Sequence, residues 1–350
     1  MSSSAGTVLA TVTTVTTGRR ARARRRVLLT VGIGVAVLVV YAITLMVGNR
    51  FYGPDEVIRV ILGQTVPGAS FSVGELRLPR ASMGVLAGFA FGLAGASFQT
   101  MLRNPLASPD ILGITWGASA AAVFGIVLLG VNDTVVSFLA LVGAIVTAVA
   151  IYLFANRRGF AGARLILIGI GVAALMQSAV SYVLSRASNW ELSTAMQWLA
   201  GSLNGATWDA VRPLAFASLV LIPLVLASGR GLAALRLGDD TAASLGVRVT
   251  ATRVILIVAA VALLAFATAA SGPIAFVAFM AGPIAARVVG TGGSLLVPAG
   301  LIGALLVLVA DLVGQFAFGA RYPVGVVTGA LGAPFLIYLL ARTARSGGSI

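Results

Sequence analysis

Ten times between residues 27 and 341 the sequence enters an apolar run of the length that crosses a bilayer, about 20 residues at helical rise. The runs cover roughly 27–47, 81–101, 111–130, 134–155, 165–185, 213–228, 254–270, 273–290, 295–318 and 324–341. In hydrocarbon every backbone N–H and C=O needs a partner within the chain, so continuous apolar runs of this length fold as helices. The expected fold class is therefore an all-α integral membrane protein with about ten transmembrane helices. The sixth run is short. The seventh and eighth are separated only by Ser271, Gly272 and Pro273, which leaves the count open by one.

Composition agrees: of the 350 residues 59% are hydrophobic and 10% charged, with a mean hydropathy of +1.04, whereas ordinary globular domains carry about 25% charged residues. The formal charge of +14 does not point to nucleic acid, because the 24 basic residues are all arginine and gather in short connections between apolar runs. That is how topology is encoded in a membrane protein. With both termini cytoplasmic, 17 arginines fall on the cytoplasmic side and seven on the other, the expected bias. Residues 1–26, ending in "GRRARARRR", read as a disordered arginine-rich cytoplasmic tail. Residues 27–345 form one polytopic domain and 346–350 a short C-terminal tail. A twin-arginine export signal does not fit, since the following run has full spanning length and no clear cleavage site.

Three absences narrow the chemistry. Without cysteine or histidine there is no disulfide framework, thiolate or imidazole ligand, and the ten scattered carboxylates make a poor metal site. Without lysine there is no P-loop, whose lysine reaches the β- and γ-phosphates. No cofactor is expected on this chain, and any ATP with its Mg²⁺ belongs to another. A membrane-embedded enzyme also lacks its usual acids, bases and nucleophiles.

Within the second run Gly84, Gly88 and Gly92 recur at i, i+4 and i+8, a stripe that lets helix backbones approach closely in lipid. A smooth conduit wall is the other reading. Residues 186–212 hold Trp190, Trp198 and Trp208, as an interfacial segment would. The segment 235–253, "LRLGDDTAASLGVRVTATR", interrupts the apolar pattern. Asp239 and Asp240 stand where a short helix would begin, and Gly246 where a left-handed cap would end it. Between them about two turns present Ala242, Ala243 and Leu245 on one side, flanked by Arg236 and Arg248. The segment is either a solvated amphipathic loop or a rigid knob for a cytoplasmic partner, and the missing P-loop makes a separate ATPase the natural partner.

"LGDDTAASLGVRV" resembles the coupling-helix signature of the FecCD-type permeases, the membrane subunits of ABC importers for iron-siderophores, haem and cobalamin. Further similar stretches are "RLPR" (77–80), "LRNPLASPDILGITWGAS" (102–119), "SGPIAFVAF" (271–279) and "YPVGVVTGALGAPFLIYLL" (322–340), in family order. The resemblance runs from about residue 27 to 345. It implies a type II ABC importer architecture in the bacterial cytoplasmic (inner) membrane, with two permease subunits enclosing the conduit. Two ATPase subunits would sit on the inner face and an extracytoplasmic siderophore-binding protein on the outer. A second FecCD-type permease, as a heterodimer, is favoured over a homodimer.

The resemblance also implies roles. Leu237, Gly238, Asp239, Asp240, Thr241, Ala242, Leu245, Gly246 and Val247 would form the ATPase-coupling element. Arg77 and Arg80 would dock the binding protein, or anchor the span boundary. A further family arginine falls at Gln315, so Arg321 is a substitute candidate. Asp311 and Gln315 would be buried polar groups, with Asp311 in a structural hydrogen bond or, as a rival, a proton relay of a secondary transporter. The cytoplasmic constriction maps to Gly159, Phe160, Ala161, Gly162, Ala163 and Arg164. Gly282 and Pro283 replace a family Pro-His pair, while Arg287 is kept. "QWLAGSLNGATW" (197–208) is most similar to the iron-siderophore version, with haem and cobalamin as alternatives.

Overall fold

The computed structural model of the chain describes residues 2–109, 113–155 and 162–345. Among the described residues all regular structure is helical. In chain order α1 is Ser2–Met46, α2 Pro54–Ile61, and a π-helical turn over Ser70–Arg77 leads into α3, Leu78–Met101. Next come α4, Ile114–Phe124, continued as π-helix over Gly125–Leu129, then α5, Asp133–Ala155, and α6, Gly162–Leu184. They are followed by α7, Asn189–Ala200, α8, Trp208–Ala227, α9, Gly229–Leu235, and α10, Asp239–Ser244. The last four are α11, Val249–Ser271, α12, Val277–Val289, α13, Leu296–Phe316, and α14, Val324–Arg345.

Each of the ten apolar runs carries a helix. Among the described residues eight are long and apolar enough to cross a membrane, while Ile114–Leu129 and Val277–Val289 are shorter. Two boundaries differ from expectation. The expected disordered tail over 1–26 is helical from Ser2, continuous with the first span. The sixth span starts at Trp208 and has 20 residues. Residues 208–211 supply a first turn ahead of Pro213, with Asp209 at its positive end.

The bundle is built around α3, of whose most apolar stretch 78% is buried, with α8, α11, α12 and α13 packed on it. Its glycine stripe brings it close to α13. A Cβ at Gly88 would stand 2.5 Å from the Gly303 carbonyl oxygen and 2.7 Å from the Ala304 Cα of α13. Gly92 lies against Ala299, and Gly84 faces Leu203 and Leu308. Backbone-to-backbone packing of this kind replaces the hydrophobic drive that lipid removes. By contrast α1 and α6 are peripheral, with 17% and 11% of their apolar stretches buried.

Where α11 ends, Gly272 (φ 68°) and Pro273 break the helix, the backbone of Gly201 packs into the break, and Gly325 packs on Ala200 and Gly201. Ser202 N–H donates to the Ser271 carbonyl at 2.8 Å, and Gly325 N–H donates to the Gly201 carbonyl at 3.1 Å. Three connections are thereby stitched together at one end of the bundle. α7, within the tryptophan-bearing segment, begins with a capping box in which Ser188 N–H donates to Glu191 Oε2 at 2.8 Å. Those Ser188 hydrogen bonds hold the exposed Glu191 carboxyl below its ordinary value.

Candidate functional site

Two polar clusters stand at opposite ends of α3, about 36 Å apart along its 24 residues. At its Met101 end the chain leaves the bundle after α8 and builds α9 and α10 before returning through α11. α10 carries Asp239 and Asp240 in its first turn and ends on Gly246 (φ 81°). Gly246 N–H donates to the Ala243 carbonyl at 2.9 Å and Val247 N–H to that of Ala242 at 3.0 Å. This paired reach-back is a Schellman cap, which satisfies carbonyls the helix end would otherwise orphan.

Ala242, expected on the presented side, is fully buried. α9 and α11 flank α10. Ala243 is exposed as expected, and so are Leu237 and Leu245, each at 63%. Thr241 Oγ1 lies about 4.0 Å from the place a Cβ on Gly238 would take, and Gly238 itself adopts φ 108°. Asp239 is clamped by Arg253, whose Nη2 lies 3.0 Å from Oδ1 and 3.1 Å from Oδ2. Arg253 is buried at the start of α11, so α10 is fixed to the helix it feeds.

Arg103, just past α3, reaches the same carboxylate at 3.8 Å. It adopts φ 53°, the conformation in which glycine costs least. Its N–H donates to the Thr100 carbonyl and Asn104 N–H to that of Gln99, another Schellman pattern with arginine in glycine's place. The price of that backbone is met where the side chain is needed, here facing the coupling segment.

Beside this cluster lies the Gly282-Pro283 departure. Pro283 has no N–H, which leaves the Phe279 carbonyl, four residues earlier, without a helical donor. Gln99 Nε2 donates to that carbonyl at 2.9 Å. A side chain at 282 would collide with the Gln99 amide oxygen. Glycine, proline and the α3 glutamine form one arrangement. A proline inside an apolar helix is the sequence signal for it, since it orphans a carbonyl four residues back.

At the opposite end the three expected docking arginines have different surroundings. Arg77 Nη1 donates to the Leu45 and Met46 carbonyls, both at 2.9 Å, and Nη2 to that of Arg50 at 2.6 Å. Its guanidinium lies 4.9 Å from the Tyr52 ring centroid. It caps the C-terminal end of α1, as a cation should. Arg80 forms a bidentate pair with Asp311 of α13, Nε to Oδ2 at 2.8 Å and Nη2 to Oδ1 at 2.7 Å. Asn204 Oδ1 accepts from Arg80 Nη1 at 2.7 Å, and Gln315 Nε2 donates to Asp311 Oδ2 at 2.8 Å. The Asp311 side chain is 2% exposed. Arg321 is exposed and donates to Asn49 Oδ1 at 3.0 Å.

Of the expected constriction, residues 159–161 lie outside the described residues. Gly162, Ala163 and Arg164 open α6, and Arg164 Nη1 lies 3.4 Å from the Ala155 carbonyl. Sequence reasoning missed Asn204, Arg103 and Arg253, whose roles depend on residues distant in the chain or on backbone conformation.

Fold and clusters together define a polytopic helical membrane protein with a rigid polar knob at one end and a buried ion-pair network near the other. The FecCD transport family model matches residues 35–342. The chain is similar to two proteins of Escherichia coli (strain K12). Over 294 residues it is 41% identical to the ferric enterobactin transport system permease protein FepG, covering 83% of this chain and 88% of that protein. It is 34% identical over 321 residues to the corresponding permease protein FepD, covering 89% and 94%. A solved inward-facing structure described as a metal-chelate type ABC transporter superposes with a TM-score of 0.77 at 26% identity, over 89% of this chain and 98% of that one. The chain belongs to the FecCD transport family.

Proposed function

We propose that this chain is the membrane-spanning subunit of an ATP-driven importer that carries a ferric siderophore from a binding protein to the cytoplasm. The observation that carries the reading is the α10 knob, which holds Leu237 and Leu245 out from the bundle while Asp239 is clamped to α11. A rigid polar knob with an apolar tip suits a cleft on a separate ATPase, whose closure it would transmit to α11 and, through Arg103, to α3. The coupling element comprises residues 237–242 and 245–247, at the cytoplasmic side with both termini.

A heterodimer with a second, related permease is supported by the likeness to both FepG and FepD, two permease proteins of one ferric enterobactin system. On the outer face Arg321 is free of carboxylates among the described residues and suits an acidic binding protein. Arg77 and Arg80 shape the platform beneath it. The segment 159–164 serves as the cytoplasmic constriction. A chelate crosses whole, so no histidine or cysteine is required, and weak holding favours release. The proton-relay rival is poorly supported, since Asp311 is already engaged by Arg80 and Gln315.

The test is purification from iron-starved membranes followed by uptake in proteoliposomes. Co-purification of a P-loop ATPase and a second permease, with vanadate-sensitive uptake of a ferric siderophore, is expected. Vanadate-insensitive, proton-driven uptake would overturn the reading, and uptake of haem or cobalamin alone would overturn its substrate.

A further inference from the structure

Where α3 ends, a cavity of about 390 Å³ opens between that helix, the 282–286 stretch of α12 and the connection from α12 to α13. Its polar lining is Gln99, Thr100, Arg103, Asn104, Arg236 and Thr291, and no carboxylate lines it among the described residues. The neutral groups of α3 and the turn after it are already engaged. Gln99 Nε2 donates to the Phe279 carbonyl. Thr100 Oγ1 donates to the Ala96 carbonyl at 2.6 Å, and Asn104 Oδ1 accepts from Leu106 N–H at 2.8 Å. The two arginines therefore set the character of the cavity.

Both arginines stand beside the segment that leads into α10. Arg103 Nη1 lies 3.9 Å from the place a Cβ on Gly238 would take, and Arg236 comes two residues before Gly238. They are short of acid. Asp239 is held by buried Arg253 at 3.0 and 3.1 Å and reached by Arg103 only at 3.8 Å. Asp240, exposed on the same segment, pairs with neither arginine. Arg236 is exposed and forms no hydrogen bond or ion pair among the described residues. It immediately precedes Leu237, one of the two exposed leucines of the knob. A partner that closes on the knob therefore also covers the cavity beside it. A guanidinium taken out of water without a counter-charge is costly, so the covering surface has to bring an acid.

We propose that this cavity receives an acidic side chain of the ATPase, its carboxylate seated between Arg103 and Arg236 while α10 occupies the cleft. The inference rests on the importer role proposed for the chain and adds a second contact to it. Guanidinium–carboxylate hydrogen bonds are short, strong and directional, so the seat fixes the angle at which the ATPase meets the knob. Through it the ATPase grips the end of α3 and the 291–295 connection directly, rather than through α10 alone. A soluble anion would meet the same arginines, but its binding would not require the site to adjoin Leu237.

The chain contains no lysine, so R236K introduces its only side-chain amine. In the complex purified with its ATPase, a water-soluble carbodiimide is expected to condense that amine with an aspartate or glutamate of the ATPase. The carbodiimide takes up the water as a urea, and the amide link is located by peptide mass spectrometry. Wild type treated alike should give no such link. R236Q keeps the cavity and removes the charge. It should weaken retention of the ATPase about thirtyfold, the scale for truncating one partner of a buried interfacial charge pair. The R236K link decides the matter if R236Q proves unstable. Retention of the ATPase with no R236K link to it, or with links only inside the permease chain, would overturn the proposal and leave the importer role standing. Undiminished retention by R236Q would do the same. Wild type that retains no ATPase would overturn both. Binding of millimolar inorganic phosphate to the permease alone, lost in R236Q and with no link to the ATPase, would assign the cavity to a soluble anion instead.

Discussion

Asp311 and Arg80 show how one side chain changes meaning with its partner. A carboxylate 2% exposed inside a membrane bundle is costly alone, and a bidentate guanidinium with two amide neighbours offsets that cost. Asp311→Asn is expected to destabilise the protein by about 3–5 kcal/mol, because it strands a partly buried arginine. The R80Q/D311N double variant should recover much of the loss, since removing both charges removes the stranded one. Thermal unfolding in detergent checks both. Equal stability of wild type and D311N would mean that the network contributes nothing. At this scale the sequence showed Asp311 and Gln315 as a polar pair four residues apart, whereas Arg80 lies 231 positions from Asp311, and no local pattern joins them.

Among the elements, α12 and α10 solve different problems. In α12 the proline that deletes an N–H is tolerated because Gln99 supplies one from α3. Gln99→Leu should cost about 1–3 kcal/mol by leaving the Phe279 carbonyl buried and unsatisfied. In a Pro283→Ala background the same change should cost clearly less, since the helix then supplies its own donor. A double-mutant cycle on thermal stability reads the difference, and strict additivity would refute the compensation.

For α10, Leu245→Asp places a charge on the exposed apolar tip. It should weaken the contact with an ATPase by about 2 kcal/mol or more, the scale of an interface hot spot. ATP hydrolysis would persist in the assembled complex while uptake falls. Changing Gly246 to a bulky charged residue should act similarly, with added strain from its φ of 81°. Uptake that stays coupled in both variants would remove this helix from the transmission path. The short helix, its acidic start and its glycine stop were all legible in "GDDTAASLG". Which side of it faced the protein was not, and Ala242 turned out buried while Leu245 is exposed. A two-turn helix with small residues on several sides carries no periodic signal strong enough to choose.

Over the whole molecule, α3 acts as the mast on which the other helices are stepped, and its contact with α13 depends on the absence of side chains. Gly88→Ala puts a methyl group 2.5 Å from the Gly303 carbonyl oxygen. It should cost about 1–3 kcal/mol as the helices are forced apart. Gly171→Ala, on peripheral α6 with nothing within 4 Å of the new Cβ, is the matched control and should be neutral or slightly stabilising. Thermal melts of the two variants compare them directly, and equal effects would mean that the α3–α13 approach is not limiting.

The sequence by itself determined the class of molecule: ten apolar runs of bilayer length, arginines gathered mostly in the tails and connections, and one polar segment carrying its own start and stop signals. These properties are local and additive, so they survive without any knowledge of neighbours. Tertiary structure alone decided that Arg77 caps α1, that Arg80 belongs to Asp311, and that Gln99 completes a broken helix. Each of those depends on which two distant segments lie against one another. In a bundle whose helices are all apolar, that choice rests on shape and on a few buried polar pairs, which a linear pattern does not record.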